Sequence, residues 1–540
     1  MWVARGAGLK PFDDSGVFRN TVDSGNVRRL ATRGVAATLF SGGSGLAIQI
    51  TATVFLARLL TPRDFGLVAI VTTFSLLLMN FGLNGFTEAI VHREDINHGQ
   101  ASNLFWINVA GSTLLAVCFA AAGPLLALFF KDPRVTGVAQ WMALSIFLTG
   151  PSVIHIALLK RAMQFTVASA NDLIARAVSV VVSICLGWNG WGYWALVAGA
   201  IAQVASLTVG AWILCQWVPG LPRKTAGTGT MVRYALNTYA RYSTGYFTSN
   251  LDNFLVGWRL GPVQLGFYKK AYDLFALATS QLSLGLTVVA VSALSRLQKD
   301  VAQYKRYLLS ALGVMAFIGM GISGDLTLVG KDLILVLLGP RWGESGTLFT
   351  IFAPGIGFML LYGAHIWIHL SIGRADRWFR WGLVDLAVTT VFLFVGLQWQ
   401  AEGIAVAWVA AYCLITWPAF WYAGKPIGFK VSSVFAVVWK YILAASMAGI
   451  ASYLIEHALP SFMTAPGAFW AAARLVFVSV LFLVLYLIGV VILHRGYAPL
   501  RQVASLIGEM TARRKSTAQI AEAAGETNEP LQTLRLNHRD

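Results

Sequence analysis

Apolar runs of about twenty residues, each long enough to cross a hydrocarbon core of ~30 Å at 1.5 Å per residue, recur from Val35 to His494 without a soluble-looking interval. With Gly, Pro and charged residues taken as punctuation, the pattern predicts fourteen transmembrane helices, near 35–59, 65–89, 104–130, 137–159, 172–189, 192–216, 235–258, 264–294, 306–329, 345–370, 378–397, 402–423, 434–456 and 472–493. Short turns containing Gly or Gln are all that divides the pairs within 172–216 and 378–423. An all-α polytopic membrane protein is the fold class this implies.

Composition sharpens that reading. The 540 residues are 57% hydrophobic and 12% charged, against about 25% charged in soluble domains. The formal net charge of +17 could suit nucleic acid, but a nucleic-acid reader gathers Lys and Arg on one accessible face. Here they stand in short clusters between apolar runs, so the expected partner is the membrane and not nucleic acid. Counting basic residues near span ends puts Arg5, Lys10, Arg19, Arg28, Arg29 and Arg33 on the cytoplasmic side. The same side receives Lys160, Arg161, Arg223, Lys224, Arg296, Lys299, Lys305, Arg306, Arg374, Arg377, Lys425, Lys430, Arg495, Arg501 and Arg513 to Lys515. Both termini are then cytoplasmic.

Residues 1–33 are polar and basic with no apolar core or cleavage site, so the first span is expected to serve as the insertion signal. After Tyr497, Leu500, Val503, Leu506 and Ile507 predict an interfacial helix, followed by Ala/Glu/Thr/Asn-rich sequence expected to be disordered. Trp188, Trp191, Trp217, Trp258, Trp342, Trp378, Trp399 and Trp439 fall near span ends and read as interfacial anchors. Cys118, Cys185, Cys215 and Cys413, with no CxxC and no His at ligand spacing, read as buried thiols.

An internal repeat organises the chain. Leu60-Thr61-Pro62-Arg63-Asp64-Phe65-Gly66 follows span 1 and Leu260-Gly261-Pro262-Val263-Gln264-Leu265-Gly266 follows span 7, both reading L-x-P-x-x-[F/L]-G at a separation of 200 residues. Each is expected to be an outer hairpin in which Pro excludes the helical region for its predecessor and Gly permits close approach. Six spans lie between them, so the halves share one orientation and are related by an axis along the membrane normal. The expected division is a basic segment 1–34, a six-helix lobe 35–216, an inter-lobe loop 217–234, a second six-helix lobe 235–423, two further helices within 434–493 and a tail 494–540.

The stretch from Phe55 to Ala69, together with Asn250 to Gly257 and Leu265 to Tyr272, resembles the oligosaccharide flippases of the multidrug/oligosaccharidyl-lipid/polysaccharide superfamily, in their Wzx-type, colanic-acid-exporter-like branch. The resemblance spans roughly residues 30–495. It implies two parallel six-helix lobes around a central cavity plus two C-terminal helices. It also implies translocation of an undecaprenyl-diphosphate-linked oligosaccharide across a bacterial inner membrane, with a polysaccharide polymerase and a chain-length regulator as pathway partners. The long basic N-terminus, and Trp258 where such flippases often carry a basic or small residue, depart from the pattern.

Ionisable residues at bilayer depth are costly and usually face a bundle interior or a hydrated cavity. In span 7, Asn237, Arg241, Thr244, Thr248 and Asp252 recur at spacings of three or four and share one helix face. Lys269, Lys270 and Asp273 in span 8 reach about the depth of Asp252, so an Asp252–Lys269 or Asp252–Lys270 pair is expected. Arg241, Asn237, Thr248, Asn80, Asn84, Arg58, Lys269 and Lys270 are the candidate substrate-binding residues. A guanidinium in a water-poor cavity suits a diphosphate, and the amides suit sugar hydroxyls. Asp252, Asp273 and Glu88 are candidates for ion coupling or structural pairing, and Asp172 and Arg176 for a local i, i+4 pair. His365 and His369 share that spacing but lack the HExxH glutamate. No metal, cofactor, catalytic or nucleotide-binding motif is expected, so energy must come from an ion gradient, the membrane potential or consumption of the product. The alternatives are a multidrug/cation antiporter of the same superfamily and, in another class, a membrane-embedded polymerase or glycosyltransferase, for which the short outer loops offer weak acid candidates.

Overall fold

The computed structural model describes residues 9–19, 27–93, 95–223, 227–458 and 467–502. Most of the expected amphipathic tail, from Val503 on, lies outside them. The first six helices are α1 (Val27–Leu59), α2 (Pro62–Val91), α3 (His98–Phe130), α4 (Arg134–Arg161), α5 (Phe165–Trp188) and α6 (Tyr193–Cys215). They pack α3 on α4, α5 on α6, α2 on α4 and α1 on α5 into the first lobe. Helix α7 (Gly229–Arg296) is two arms broken at Gly261, whose φ of 83° and ψ of 179° no helix contains. Then follow α8 (Val301–Leu338), α9 (Gly343–Phe352), α10 (Gly355–Gly363), α11 (His365–Ser371), α12 (Ala375–Gly396) and α13 (Gln400–Gly424). With α7 counted as two passes and α9 to α11 as one, these complete twelve; α14 (Val431–His457) and α15 (Ala468–His494) complete fourteen. The single span expected at 345–370 is broken, with a bend of 55°, because Pro354 cannot donate to the helical ladder. For orientation, the end of the bundle carrying residues 60–66 and 260–266 is called the repeat end, and the opposite one the terminal end.

Local sequence sets the hairpins. Thr61 and Asp64 form a reciprocal capping box and Pro62 occupies the first turn of α2, satisfying donors that a helix start otherwise leaves bare. At the opposite end of α2, Asn97 and Gln100 cap α3 in the same way. The C-terminal hairpin of α14 and α15 lies on α8, fastened by an ion pair between Arg474 and Asp332 at 2.6 Å. Asp172 and Arg176 form the expected local pair at 2.8 Å.

The described part of the N-terminal segment is a hook under the first lobe. Asp13 accepts from the Ser15 and Val17 amides, the Leu9 amide donates to the Leu214 carbonyl at 3.2 Å, and Phe12 packs edge-on to His98 and tilted against Trp217. The hook covers the inter-lobe loop, which is itself pinned to α3 by the amides of Gly220, to Ser102, and Arg223, to Asn103. Trp217 is therefore 4% exposed and Trp342 fully buried, so these two are packing residues and not interfacial anchors. Trp188, Trp191, Trp258, Trp399 and Trp439 are exposed, as an anchor must be. Of the cysteines, Cys118 and Cys185 are exposed on the bundle surface and Cys413 is half-buried; Cys215 alone is buried. An apolar run does not say which of its faces meets lipid.

Candidate functional site

Two seams join the lobes. One runs between α2 and the first arm of α7, where the Tyr246 hydroxyl donates to the Thr73 carbonyl at 2.7 Å and the Tyr239 hydroxyl to the Leu77 carbonyl at 3.0 Å. It continues to the terminal end, where Gly85 abuts the Ala235 carbonyl. The other brings α1 onto α8, with the second arm of α7 facing α1 across a cavity.

Both meet at the repeat end, in a reciprocal contact of the repeated hairpins. A β-carbon on Gly66 would fall on the Pro262 carbonyl oxygen, and one on Gly266 on the Pro62 carbonyl oxygen. Only glycine fits at either place. Around this contact Phe65 meets Trp342 edge-on at 5.4 Å. The Trp342 indole donates to the Ala57 carbonyl at 2.8 Å, and the Arg58 guanidinium reaches the Val336 carbonyl at 2.9 Å. Arg58 thus ties α1 to α8 across the lobes. The sequence marked the glycines; Trp342, 285 residues from Ala57, carried no signal beyond its type.

Below this gate the second seam encloses a cavity of about 110 Å³, lined by Gln49, Thr53, Lys270 and Asp273 among Ile50, Val54, Leu274, Leu277, Leu337 and Leu338. That volume admits several waters. Lys270 is 8% exposed, and its Nζ sits 4.0 Å from the centroid of the Phe65 ring. The neighbouring Lys269 is engaged by Asp273 at 2.6 Å. The expected pairing of Asp252 with either lysine is not formed. Asp252 is fully buried and accepts from the Tyr268 hydroxyl at 2.8 Å, the Trp408 indole at 3.1 Å and the Asn253 amide at 2.7 Å. Helix geometry decides this. Residues 269 and 273 are neighbours one turn apart, whereas Asp252, across the break in α7, lies against α13.

The remaining candidates are spread out. Asn237 is exposed and Thr248 half-buried. They stand about 200° round the helix, at 100° per residue, from Tyr239 and Tyr246, so the polar face turns away from α2. Arg241, Thr244 and Asn84 lie on helices, but their side chains fall outside the described ones. Asn80 is half-buried and donates to the Leu76 carbonyl of its own helix at 2.7 Å. Glu88 is bound to His92 at 2.9 Å near the terminal end, a structural pair remote from the cavity. Lys269, Lys270 and Asp273 are brought together, with Arg58 at the rim; Asn237, Asn80 and Glu88 are not.

Two carboxylates escaped the sequence reading. Asp385 in α12 accepts from Thr389 at 3.2 Å and lies against Tyr362, which takes a hydrogen bond from the Trp381 indole at 3.1 Å. His365 lies tilted against Tyr362 at 4.6 Å, and His369 meets His365 edge-on at 5.8 Å. Asp325 in α8 faces Ser479 of α15. Each is an acidic residue within a predicted span, the same signal that marked Asp252.

A family model described as polysaccharide biosynthesis protein matches residues 55–347. The succinoglycan biosynthesis transport protein ExoT of Rhizobium meliloti is 21% identical over 435 residues, covering 79% of this chain and 87% of that protein. Among solved structures, the lipid II flippase MurJ in an inward closed conformation superposes with a TM-score of 0.70 at 13% identity, over 86% of this chain and 99% of that one. An inward-facing multidrug resistance MATE family transporter of the MOP superfamily superposes with a TM-score of 0.58 at 13% identity, over 71% and 94%. The fold is the one these solved structures share, and in this chain it is an all-α bundle of two parallel six-helix lobes around a central cavity, with two further helices at the C-terminal end.

Proposed function

The chain belongs to the polysaccharide biosynthesis protein family, and on that premise we propose that it flips undecaprenyl-diphosphate-linked oligosaccharide units from the cytoplasmic to the outer leaflet by alternating access. The observation that carries this reading is Lys270, a buried ammonium lining a cavity directly beneath the inter-lobe gate. The adjacent carboxylate, Asp273, is already taken by Lys269, so the cationic group left to meet an anion there is Lys270. A cavity this small does not hold an oligosaccharide; it suits a phosphate. The sugar is assigned to the polar face of α7, where Asn237, Arg241 and Thr248 stand, and Arg241, about 16 Å further along the bundle than Lys270 at 1.5 Å per residue, is assigned to a second anionic contact on the substrate's path.

In this reading the repeat end faces outward and both termini lie in the cytoplasm of a bacterial inner membrane. Reporter fusions after Pro262 and after Arg374 test this by reporting outer and inner sides respectively. The chain's own part is binding, orientation and gating, with no bond made or broken, and Asp252, fully buried, and Asp385, half-buried, are the carboxylates assigned to ion coupling. The same two acids would serve a cation antiporter, but a cation in the cavity would meet the Lys270 charge.

Measurement of lipid-linked repeat units on the two leaflets tests the assignment. Lys270→Met and Arg241→Ala should each leave insertion intact and strand the units inside, with surface polysaccharide falling at least about tenfold, the loss of one charge-assisted contact. Arg241→Lys should fall between Ala and wild type. Normal export from both neutral variants would refute the flippase assignment of this site.

A further inference from the structure

The contact of Lys270 with Phe65 crosses the seam: Lys270 stands on the second arm of α7, Phe65 on α2 of the other lobe. Phe65 is also edge-on to Trp342 at 5.4 Å and directly precedes Gly66, which abuts the Pro262 carbonyl. One ammonium therefore holds the ring that anchors the gate. Lys270 also lines the cavity beneath that ring, so its Nζ faces two competing partners, a π-face above and whatever occupies the cavity below. A phosphate oxygen binds an ammonium through a charge-assisted hydrogen bond, stronger than its attraction to a neutral ring. The repeat adds a second argument. Displaced by 200 residues, Lys270 corresponds to Ile70 and Phe65 to Leu265, so this contact exists in one seam only.

We propose that Lys270 is a positioning residue through which a phosphate headgroup in the cavity releases the gate: the ammonium leaves the Phe65 ring for the phosphate, and the lobes lose a contact that held their repeat ends together. This rests on the flippase reading and adds the trigger to it. A ligand shifts the lobes only by its differential affinity for the two states; here the difference is the Lys270–Phe65 contact, which the closed state keeps and the phosphate must break. By reciprocity, removing the ring must both open the gate without ligand and tighten phosphate binding.

The test uses the full chain in lipid nanodiscs, with spin labels introduced by Trp191→Cys and Trp399→Cys, exposed turns of the two lobes at the repeat end, after replacement of the native cysteines. Inter-label distances are read by pulsed electron resonance with undecaprenyl diphosphate and with undecaprenol, and binding by native mass spectrometry. In the wild type the diphosphate should raise the open-to-closed ratio about tenfold, the order of one desolvated cation–π contact, and undecaprenol should not. Phe65→Leu should reach that ratio with no ligand, respond no further, and bind the diphosphate more tightly. Phe65→Tyr, which keeps the ring face, should behave as the wild type. A wild type that binds the diphosphate alongside a Phe65→Leu variant that stays closed would overturn the trigger and leave the flippase reading intact. A wild type that binds no diphosphate would overturn both.

Discussion

The two seams between the lobes are built from the same repeated hairpin and yet behave as opposites. Where α2 meets the first arm of α7, Ile70 is buried and lies so near Gly257 that a β-carbon there would sit 3.3 Å from its Cγ1. Two tyrosine hydroxyls then stitch the helices together further down. Where α1 faces the second arm of α7, Lys270 takes the place of Ile70 and Asp273 that of Thr73, and a cavity opens. An isoleucine in a closed interface contributes by removing apolar surface from water, roughly 25 cal/mol per Å², and resists parting. Buried charges repay their desolvation only with good partners, so a seam carrying them sits nearer to balance. On the proposed reading one seam is a lasting join and the other a place where the lobes separate and a charged ligand competes. The lesson is that a symmetric backbone becomes a transporter through asymmetric side chains at a few corresponding positions.

The comparison breaks most completely at the point the seams share. Gly66→Val or Gly266→Val should hold the repeat end apart, because each side chain must displace a backbone carbonyl, not a flexible side-chain tip. Export should fall by about a hundredfold or more, the loss of one whole state of the cycle. The spin-label distance should lengthen while the protein remains inserted. Gly449→Ala, at a site with open space around it, should change neither reading.

Next in size is the exchange of seam chemistry. Ile70→Lys places an ammonium at a position that is buried and packed against Gly257 and should destabilise the protein by about 3 kcal/mol or more, the cost of an uncompensated buried charge. Thermal unfolding in detergent would register this as a marked drop in Tm. Lys270→Ile removes a buried charge and should leave Tm unchanged or slightly raised while stopping export, because no ammonium remains to meet the phosphate. Equal destabilisation by both variants would refute the contrast.

The smallest effect sharpens the lasting seam. Tyr246→Phe removes the hydroxyl that donates to Thr73 and should cost about 1 kcal/mol, the net worth of one hydrogen bond, visible in Tm with export at least half of wild type. A severe loss of export would mean that this seam moves as well.

Much of this protein is settled by features local in the chain. Twenty-residue apolar runs must become helices in a bilayer because no other partner exists for their backbone groups, and the fourteen passes follow from them. The hairpins at Pro62 and Pro262 announce themselves through proline and glycine, the i, i+4 rule pairs Asp172 with Arg176, and a run of Lys269, Lys270 and Asp273 within a span marks a polar site. What the tertiary structure alone decided is which partner each group takes. Lys269 went to its own helix, Lys270 to an aromatic ring on the other lobe, and Asp252 to Tyr268 and to Trp408 of α13. Trp342 closes on Ala57 from 285 residues away, and the two repeat glycines meet each other's prolines. Periodicity records which face of a helix is polar, because that depends on neighbours three and four residues away; it holds no record of which distant helix that face will meet, since that choice is made by the packing of all fourteen passes together.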